Sequence, residues 1–337
     1  MPTEPTLQRA SAPTISVLVP SWRRPDDLAR CLRSLAAQRV QPLEVVVGAR
    51  TDDSATAAVV AADAALRPYP VVLAATTTPG VVAAMSAALK RVRGEAVAFT
   101  DDDCEPRPDW IDRIGAAFAD PGVGGVGGRD WQPVERGERG TVGRVQWFGR
   151  MIGNHHLGSG PARAVDVLKG ANAAFRSALV AGAGLDHRLR GAGAQMHWEL
   201  ALCLPLRRAG WTLVYDPAIA VDHHVASRHD ADQRHRGTFV ADPQADAVHN
   251  ETLVLLEYLG AWPRLAFMCW ALAIGTRMEP GLAQAVRLLI GGDATAAAKF
   301  RATATGRLDG WRSWRRSRGS PAGRASGTPA APAAPGA

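Results

Sequence analysis

Paired cysteines are missing from this chain. Its four thiols, Cys31, Cys104, Cys203 and Cys269, are scattered and no Cys-x-x-Cys occurs. That excludes a zinc knuckle and a disulfide framework, and makes reduced thiols the expectation. Glycine-rich phosphate loops are missing too. No Gly-x-Gly-x-x-Gly follows the first apolar run, and there is no loop of the P-loop NTPase type. A dinucleotide fingerprint and a nucleotide triphosphatase cradle are therefore both excluded. No apolar run reaches the roughly 18 residues needed to cross a bilayer. Residues Met1 to Thr14 carry no basic-then-apolar leader and are rich in Pro, Thr and Ala. They are expected to be disordered, and the protein to be cytoplasmic.

What is present is an alternation of strand and helix. Ile15–Val19 predicts a buried strand, followed by a helix over Asp27–Gln38 with Asp26 as its N-cap. Leu43–Val47 and Val71–Ala75 predict further strands, with helices from Ser54 to about Leu66 and over Val81–Val92. Such alternation means an α/β fold, a mostly parallel sheet flanked by helices. Ligands of these sheets bind beyond the carboxyl ends of the strands. The turns after Val19, Val47 and Phe99 therefore face one cleft. It would contain Arg23, Arg24, Asp52, Asp53 and three further aspartates.

Those three, Asp101, Asp102 and Asp103, directly follow the apolar run Ala96–Phe99. A buried strand that ends in three mutually repelling carboxylates calls for a positive partner. Mg²⁺ or Mn²⁺ fits, because hard cations take oxygen ligands and share them with substrate phosphates. Taken alone, the triplet reads equally well as a solvated turn before the helix near Asp109. A basic turn facing an acidic metal site suits a nucleoside diphosphate bridged through the cation.

Further on, Gly122–Gly128 is glycine rich and leads into an irregular or strand-like stretch. Residues 146–164 read as a loop over the cleft. Val165–Leu168 predicts a strand, with Lys169-Gly-Ala-Asn172 forming a turn into a capped helix. Trp198–Ala209 predicts a helix carrying Glu199 in its first turn, where the dipole favours a carboxylate, and a break or kink at Pro205. Leu213–Tyr215 and Ala218–Val221 are short strands that deliver His223 and His224.

These segments together resemble family 2 glycosyltransferases of the GT-A fold. The matching pieces are ISVLVPSWRRPDDLARCLRSL, the loop after LEVVV, GEAVAFTDDDCEPRPDW, KGANAAFR and HWELALCLPLRRAGWTLVYDPAIAVDHH, over roughly residues 15–224. The resemblance implies a metal-dependent inverting transfer of a sugar from a nucleoside-diphosphate sugar to an acceptor hydroxyl on a glycan, a lipid-linked or a cell-envelope acceptor. It implies Asp101, Asp103 and His223 as metal ligands, with Asp102 near the ribose. Pro20, Arg23, Asp26, Asp52, Lys169 and Asn172 would contact the donor, and Glu199 would be the general base. The sequence also departs from the family pattern. Gly48-Ala-Arg-Thr-Asp-Asp replaces the usual acidic run, so nothing specifies the nucleobase. Met85-Ser86 replaces a frequent Arg-Asn pair. Trp198 stands where the first acid of an acidic pair belongs; Asp186 and His197 are alternative bases. The reduced pair leaves a second reading, a nucleotide-sugar-binding protein without turnover.

The formal charge of +7 and pI near 9.8 suit an anionic partner. Nucleic acid is disfavoured, since the basic residues gather in the tail and no recognition motif accompanies them. The expected organisation is a disordered 1–14, a catalytic domain over 15–230, a helical extension over 231–300 and a basic then disordered tail over 301–337. Residues 225–249, including Arg228, His229, Asp230, Asp232, Arg234, His235 and Arg236, read as a polar linker or acceptor-side segment. The apolar segments Thr252–Trp262, Leu265–Ile274 and Leu282–Ile290 fit either a packed helical hairpin or the headgroup layer of a membrane. Trp262, Trp270, Arg264 and Arg277 suit the second, as does the basic, tryptophan-bearing stretch from Arg301 to Arg318. The expected place of action is thus the cytoplasm, either free or, under the second reading, peripheral on the inner face of the cell membrane.

Overall fold

Four parallel strands open the sheet: β1 (Ile15–Pro20), β2 (Glu44–Arg50), β3 (Val71–Thr76) and β4 (Ala96–Thr100). Three helices link them, α1 (Pro25–Ala36), α2 (Ser54–Ala64) and α3 (Val81–Leu89). In this computed structural model, residues 12–133, 137–227, 229–230, 238–318 and 330–331 are described. The elements continue with β5 (Cys104–Pro106), α4 (Trp110–Ala117), β6 (Val123–Trp131), β7 (Arg144–Val145), β8 (Met151–Ile152) and β9 (Arg163–Val165). Next come β10 (Asn172–Arg176), α5 (Ser177–Ala183), α6 (Trp198–Arg208) and β11 (Thr212–His223). Four C-terminal helices follow, α7 (Ala241–Tyr258), α8 (Ala261–Ala273), α9 (Leu282–Ile290) and α10 (Ala296–Arg318).

The main sheet runs β3-β2-β1-β4-β10-β6-β11-β5, with β9 also on β11. Only β10, β9 and β5 run antiparallel to their neighbours. Helices cover both faces, which is why the first strands are largely apolar on both sides, with Ser16 and Glu44 as buried polar exceptions that bond to each other. Leu18 packs with Val46, Val97, Phe99 and Phe175 on one face. Val17 and Val19 pack with Leu28, Leu32, Val45 and Trp110 on the other. Each such side chain contributes about 1.5–3 kcal/mol on full burial.

Three elements differ from the sequence reading. Helix α1 begins at Pro25, with Arg24 at the cap position and Asp26 exposed inside the first turn. Proline is pre-set for the first helical position and its missing N–H is no loss there. Asn172–Arg176 is a central strand, not a turn and helix start. Its neighbour β6 makes room with glycine: a Cβ on Gly127 would lie 2.4 Å from the Asn172 carbonyl oxygen, and one on Gly125 2.6 Å from the Phe175 ring. The glycine-rich run is thus a strand under close approach. Finally, Leu213–Tyr215 and Ala218–Val221 belong to one strand, β11, whose register shifts at Asp216-Pro217. Pro205 lies inside α6 without ending it. Of the proposed linker, residues from Ala241 onward are helical. Arg228, Asp232, Arg234, His235 and Arg236 lie outside the described residues.

Candidate active site

A cleft of about 520 Å³ opens at the carboxyl ends of β1, β2, β4 and β11. Because β10 runs the other way, its first residues arrive at the same edge: Asn172 pairs with Thr100. Lys169 and Gly170, just before β10, therefore meet Asp101 and Asp103, just after β4, in the cleft wall. Pro20, Trp22 and Arg24 enter from the β1 turn, Arg50 from the end of β2, and Trp198 and Glu199 from the start of α6.

The short strand β5 aligns His223 of β11 with Cys104, next to the aspartates. Asp101, Asp103, Cys104 and His223 each offer a ligand atom, all within 4.8 Å of one another. Burial pushes the Cys104 thiol above its ordinary range, and a hard cation prefers oxygen donors to sulfur. Two carboxylates and an imidazole remain, a donor set that fits Mg²⁺ or Mn²⁺. Asp103 is the hub. It accepts from Arg24 Nη1 at 3.1 Å and from the Ala226 amide at 2.9 Å, and lies 3.4 Å from His223 Nε2. Burial alone would raise its pKa, but His223, Arg24 and that amide together hold it well below the carboxylate range. Burial and the neighbouring Asp103 charge push Asp101 up. Asp102 turns away into the protein, with Arg24 Nη2 2.5 Å from one oxygen. Burial pushes it up to about 8 against the pull of Arg24. It does not line the cleft.

His223 has a second carboxylate behind it. Its Nδ1 lies 3.3 Å from Asp130 Oδ2, and Lys169 Nζ ion-pairs with the same oxygen. Asp130 is fully buried near the end of β6. Burial would raise its pKa, yet Lys169 and His223 hold it below the ordinary range. For His223, burial lowers the pKa, and the bonds to Asp103 and Asp130 raise it to about 9. The sequence reading missed Asp130. The signal was a lone carboxylate at the end of a strand, hidden because glycines concealed the strand.

Glu199 sits in the first turn of α6 and accepts from the Gly170 amide at 3.2 Å. Burial pushes its carboxyl above the usual range. Only glycine fits at 170, since a Cβ there would stand 2.1 Å from the Trp198 indole. His197 also lines the cleft, whereas Asp186 is bound to Arg188 and does not.

The other expected contacts divide sharply. Asn172 is buried and its amide is spent inside the fold. Its Oδ1 accepts from Trp110 Nε1 at 2.8 Å, and its Nδ2 donates to the Arg129 and Ile219 carbonyls. It is a sheet-locking residue, with no donor left for a ligand. Arg23 is exposed and stacks on Trp22 outside the cleft lining, so Arg24 takes the inward place. The Arg23 amide donates to Asp53, which caps α2 through Thr56. Asp52 is tied to Arg50 at 2.7 Å at the surface, and Asp26 also lies outside the lining. Trp22 and Arg50 are lining residues that the sequence reading did not single out.

The sequence profile of the family described as "Glycosyltransferase like family 2" matches residues 12–238. The chain belongs to that family. It is a family 2 glycosyltransferase with a GT-A fold, and the solved structures agree on the fold. A mannosyltransferase from Pyrobaculum calidifontis, in complex with GDP-Man and Mn²⁺, superposes with a TM-score of 0.52 at 20% identity, covering 91% of this chain and 90% of that one. S. aureus TarS residues 1–349, in complex with UDP-GlcNAc, gives 0.53 at 17% identity, covering 90% and 91%. GalNAc-T7 with UDP, GalNAc and Mn²⁺ gives 0.52 at 14% identity, covering 73% of this chain and 48% of that one. No curated protein sequence is a significant match. In this family 2 glycosyltransferase the Asp101–Asp103 pair stands as the DxD-like metal-site candidate.

Proposed function

We propose that this glycosyltransferase moves a sugar from a nucleoside-diphosphate sugar to an acceptor hydroxyl with inversion at the anomeric carbon. The observation that carries this reading is the meeting of Asp101, Asp103 and His223 in one cleft with Glu199. Asp101, Asp103 and His223 would hold Mg²⁺ or Mn²⁺. The bound cation would neutralise the charge that develops on the departing nucleoside diphosphate. The solved relatives seen with nucleotide-sugars or Mn²⁺ support this choice of donor and metal.

The chain's own residues supply the rest. Glu199 takes the proton from the acceptor hydroxyl as that oxygen attacks from the face opposite the leaving group. Its raised pKa, caused by burial, makes it a stronger base than a solvated glutamate. The Gly170 amide fixes one carboxylate oxygen, leaving the other for the proton. Lys169 and Arg24 offset part of the aspartate charge at the diphosphate end of the cleft. Asp130 orients His223 from behind, as carboxylates commonly do for metal-binding imidazoles. With Asp53 and Asp52 occupied by α2 and Arg50, Pro20, Trp22 and Arg50 are the nucleotide-side lining. The acceptor is a glycan, lipid-linked or cell-envelope hydroxyl, met at the inner face of the cell membrane.

Glu199→Gln is the direct test. It should lower transfer by about 100-fold to 10,000-fold while leaving donor binding unchanged. An active variant would remove Glu199 from the mechanism.

A further inference from the structure

Helices α8 and α9 carry apolar side chains on the wrong side. Phe267 and Ala271 bury the inner face of α8, and Ala285 and Leu288 that of α9. A surface helix ordinarily shows charge on its other face. Here Trp262, Leu265 and Leu272 recur at helical spacing on the outer face of α8, with Trp262 79% exposed. Leu282, Val286 and Ile290 do the same on α9, with Ile290 84% exposed. The turn between the helices is tight. Gly281 donates to the Ile274 carbonyl, and a Cβ on Gly281 would lie 2.7 Å from the Ala271 and Leu272 carbonyl oxygens. The start of α9 is thus clamped to the end of α8, and the two stripes adjoin.

The exposed charge of this hairpin has one sign. Between Gly260 and Gly292 the charged residues are Arg264, Arg277, Glu279 and Arg287. The single acid, Glu279, is buried against Arg307. Arg277 and Arg287 are exposed.

We propose that the outer face of α8 and α9 is a docking surface for an anionic lipid bilayer. Charge complementarity selects this occupant over a second copy of the chain. A two-fold contact would set the same arginine rim against itself, and the acid just beyond it, Asp293, is already paired with Lys299 at 2.8 Å. Anionic headgroups match that rim, and apolar side chains with a tryptophan suit the layer just beneath. Among the described residues no helix is long and apolar enough to cross a membrane, so the surface lies on the bilayer.

The surface is joined to the cleft. Phe148, at the tip of the β7–β8 hairpin, stacks edge-on against Trp270 of α8 at 5.3 Å, and its neighbour Trp147 is 71% exposed. Met151 of the same hairpin lines the cleft. Docking would therefore set the cleft beside the lipid surface and favour a lipid-linked acceptor hydroxyl. That last step rests on the proposed transfer reaction; the docking itself does not.

The test is sedimentation of the full chain with vesicles of phosphatidylcholine alone or with about 30% phosphatidylglycerol, at low and high salt. Binding should require the anionic lipid and weaken with salt. The pairs Trp262→Ser with Ile290→Ser, and Arg277→Glu with Arg287→Glu, should each lower binding about tenfold. Arg315→Glu with Arg316→Glu, on α10, should leave most of it. Absence of binding to anionic vesicles would overturn the proposal. So would loss through the α10 pair alone, or a dimer in solution that Trp262→Ser dissociates. Thermal stabilisation by a nucleoside diphosphate with Mn²⁺, measured on the same variants, reports the cleft separately. Its retention alongside lost vesicle binding isolates the surface, and its absence in the parent chain indicts the donor reading instead.

Discussion

Asp130 holds two side chains of the cleft in place with one carboxylate. Lys169 and His223 approach the same oxygen, and Gln132 donates to it at 2.9 Å. Asp130→Asn would remove the charge that compensates Lys169. Breaking a buried ion pair from one side costs about 3–5 kcal/mol. Metal affinity should fall by roughly 10-fold to 100-fold as His223 loses its orienting partner. Calorimetric titration of Mn²⁺ together with a melting curve would check both parts; unchanged metal affinity in a destabilised variant would make Asp130 purely structural. The residues legible in sequence were those that ended a recognisable strand. Asp101 and Asp103 lie in the cleft lining for that reason, and Glu199 was legible instead as a first-turn carboxylate of α6. Asn172 shows the opposite case. Its amide looked available, but β10 sits between two strands and the fold consumes its donors.

Helix α10 shows how charge misleads at the scale of an element. The stretch from Arg301 to Arg318 reads as a basic surface, yet Arg307 is 2% exposed. It pairs with Glu251 at 2.5 Å and with Glu279 at 3.0 Å. Gly306 and Gly310, one turn apart, let α10 close on α7. A Cβ on Gly306 would lie 2.4 Å from the Ala245 carbonyl oxygen, and one on Gly310 2.7 Å from that of His249. That approach carries Arg307 inward, and a run of arginines gives no hint of it. Burial and Glu279 push Glu251 up to about 7, against the pull of Arg307. Native protein therefore keeps a proton that the unfolded chain releases near 4.5. The stability gained is full below that value and is lost as pH rises through about 7. The melting temperature should fall from about pH 5 to about pH 8, and Glu251→Gln should flatten that slope. A slope that survives the substitution would place the titration elsewhere.

For the whole molecule, the strand–helix alternation of residues 15–100 was enough to specify a parallel sheet and the edge where the cleft opens. The second half was harder to read, because its strands pair with distant partners and glycine replaces the apolar pattern. β6 and β10 are visible only once they lie side by side. The charge of the chain divides accordingly: aspartates gather at the cleft, and arginines rim the C-terminal helices. The central claim is that the cluster at 101–103 grips a diphosphate through a cation. Thermal shift of the full chain against a panel of nucleoside diphosphates, with and without Mn²⁺ or Mg²⁺, tests it most directly. A ligand at about a hundred times its dissociation constant adds about 2.7 kcal/mol, a melting shift of several degrees. The account predicts such a shift for at least one nucleotide, only with the cation, and its loss in Asp101→Ala with Asp103→Ala. A shift that ignores the cation or survives the double substitution, or no shift with any nucleotide, would contradict it.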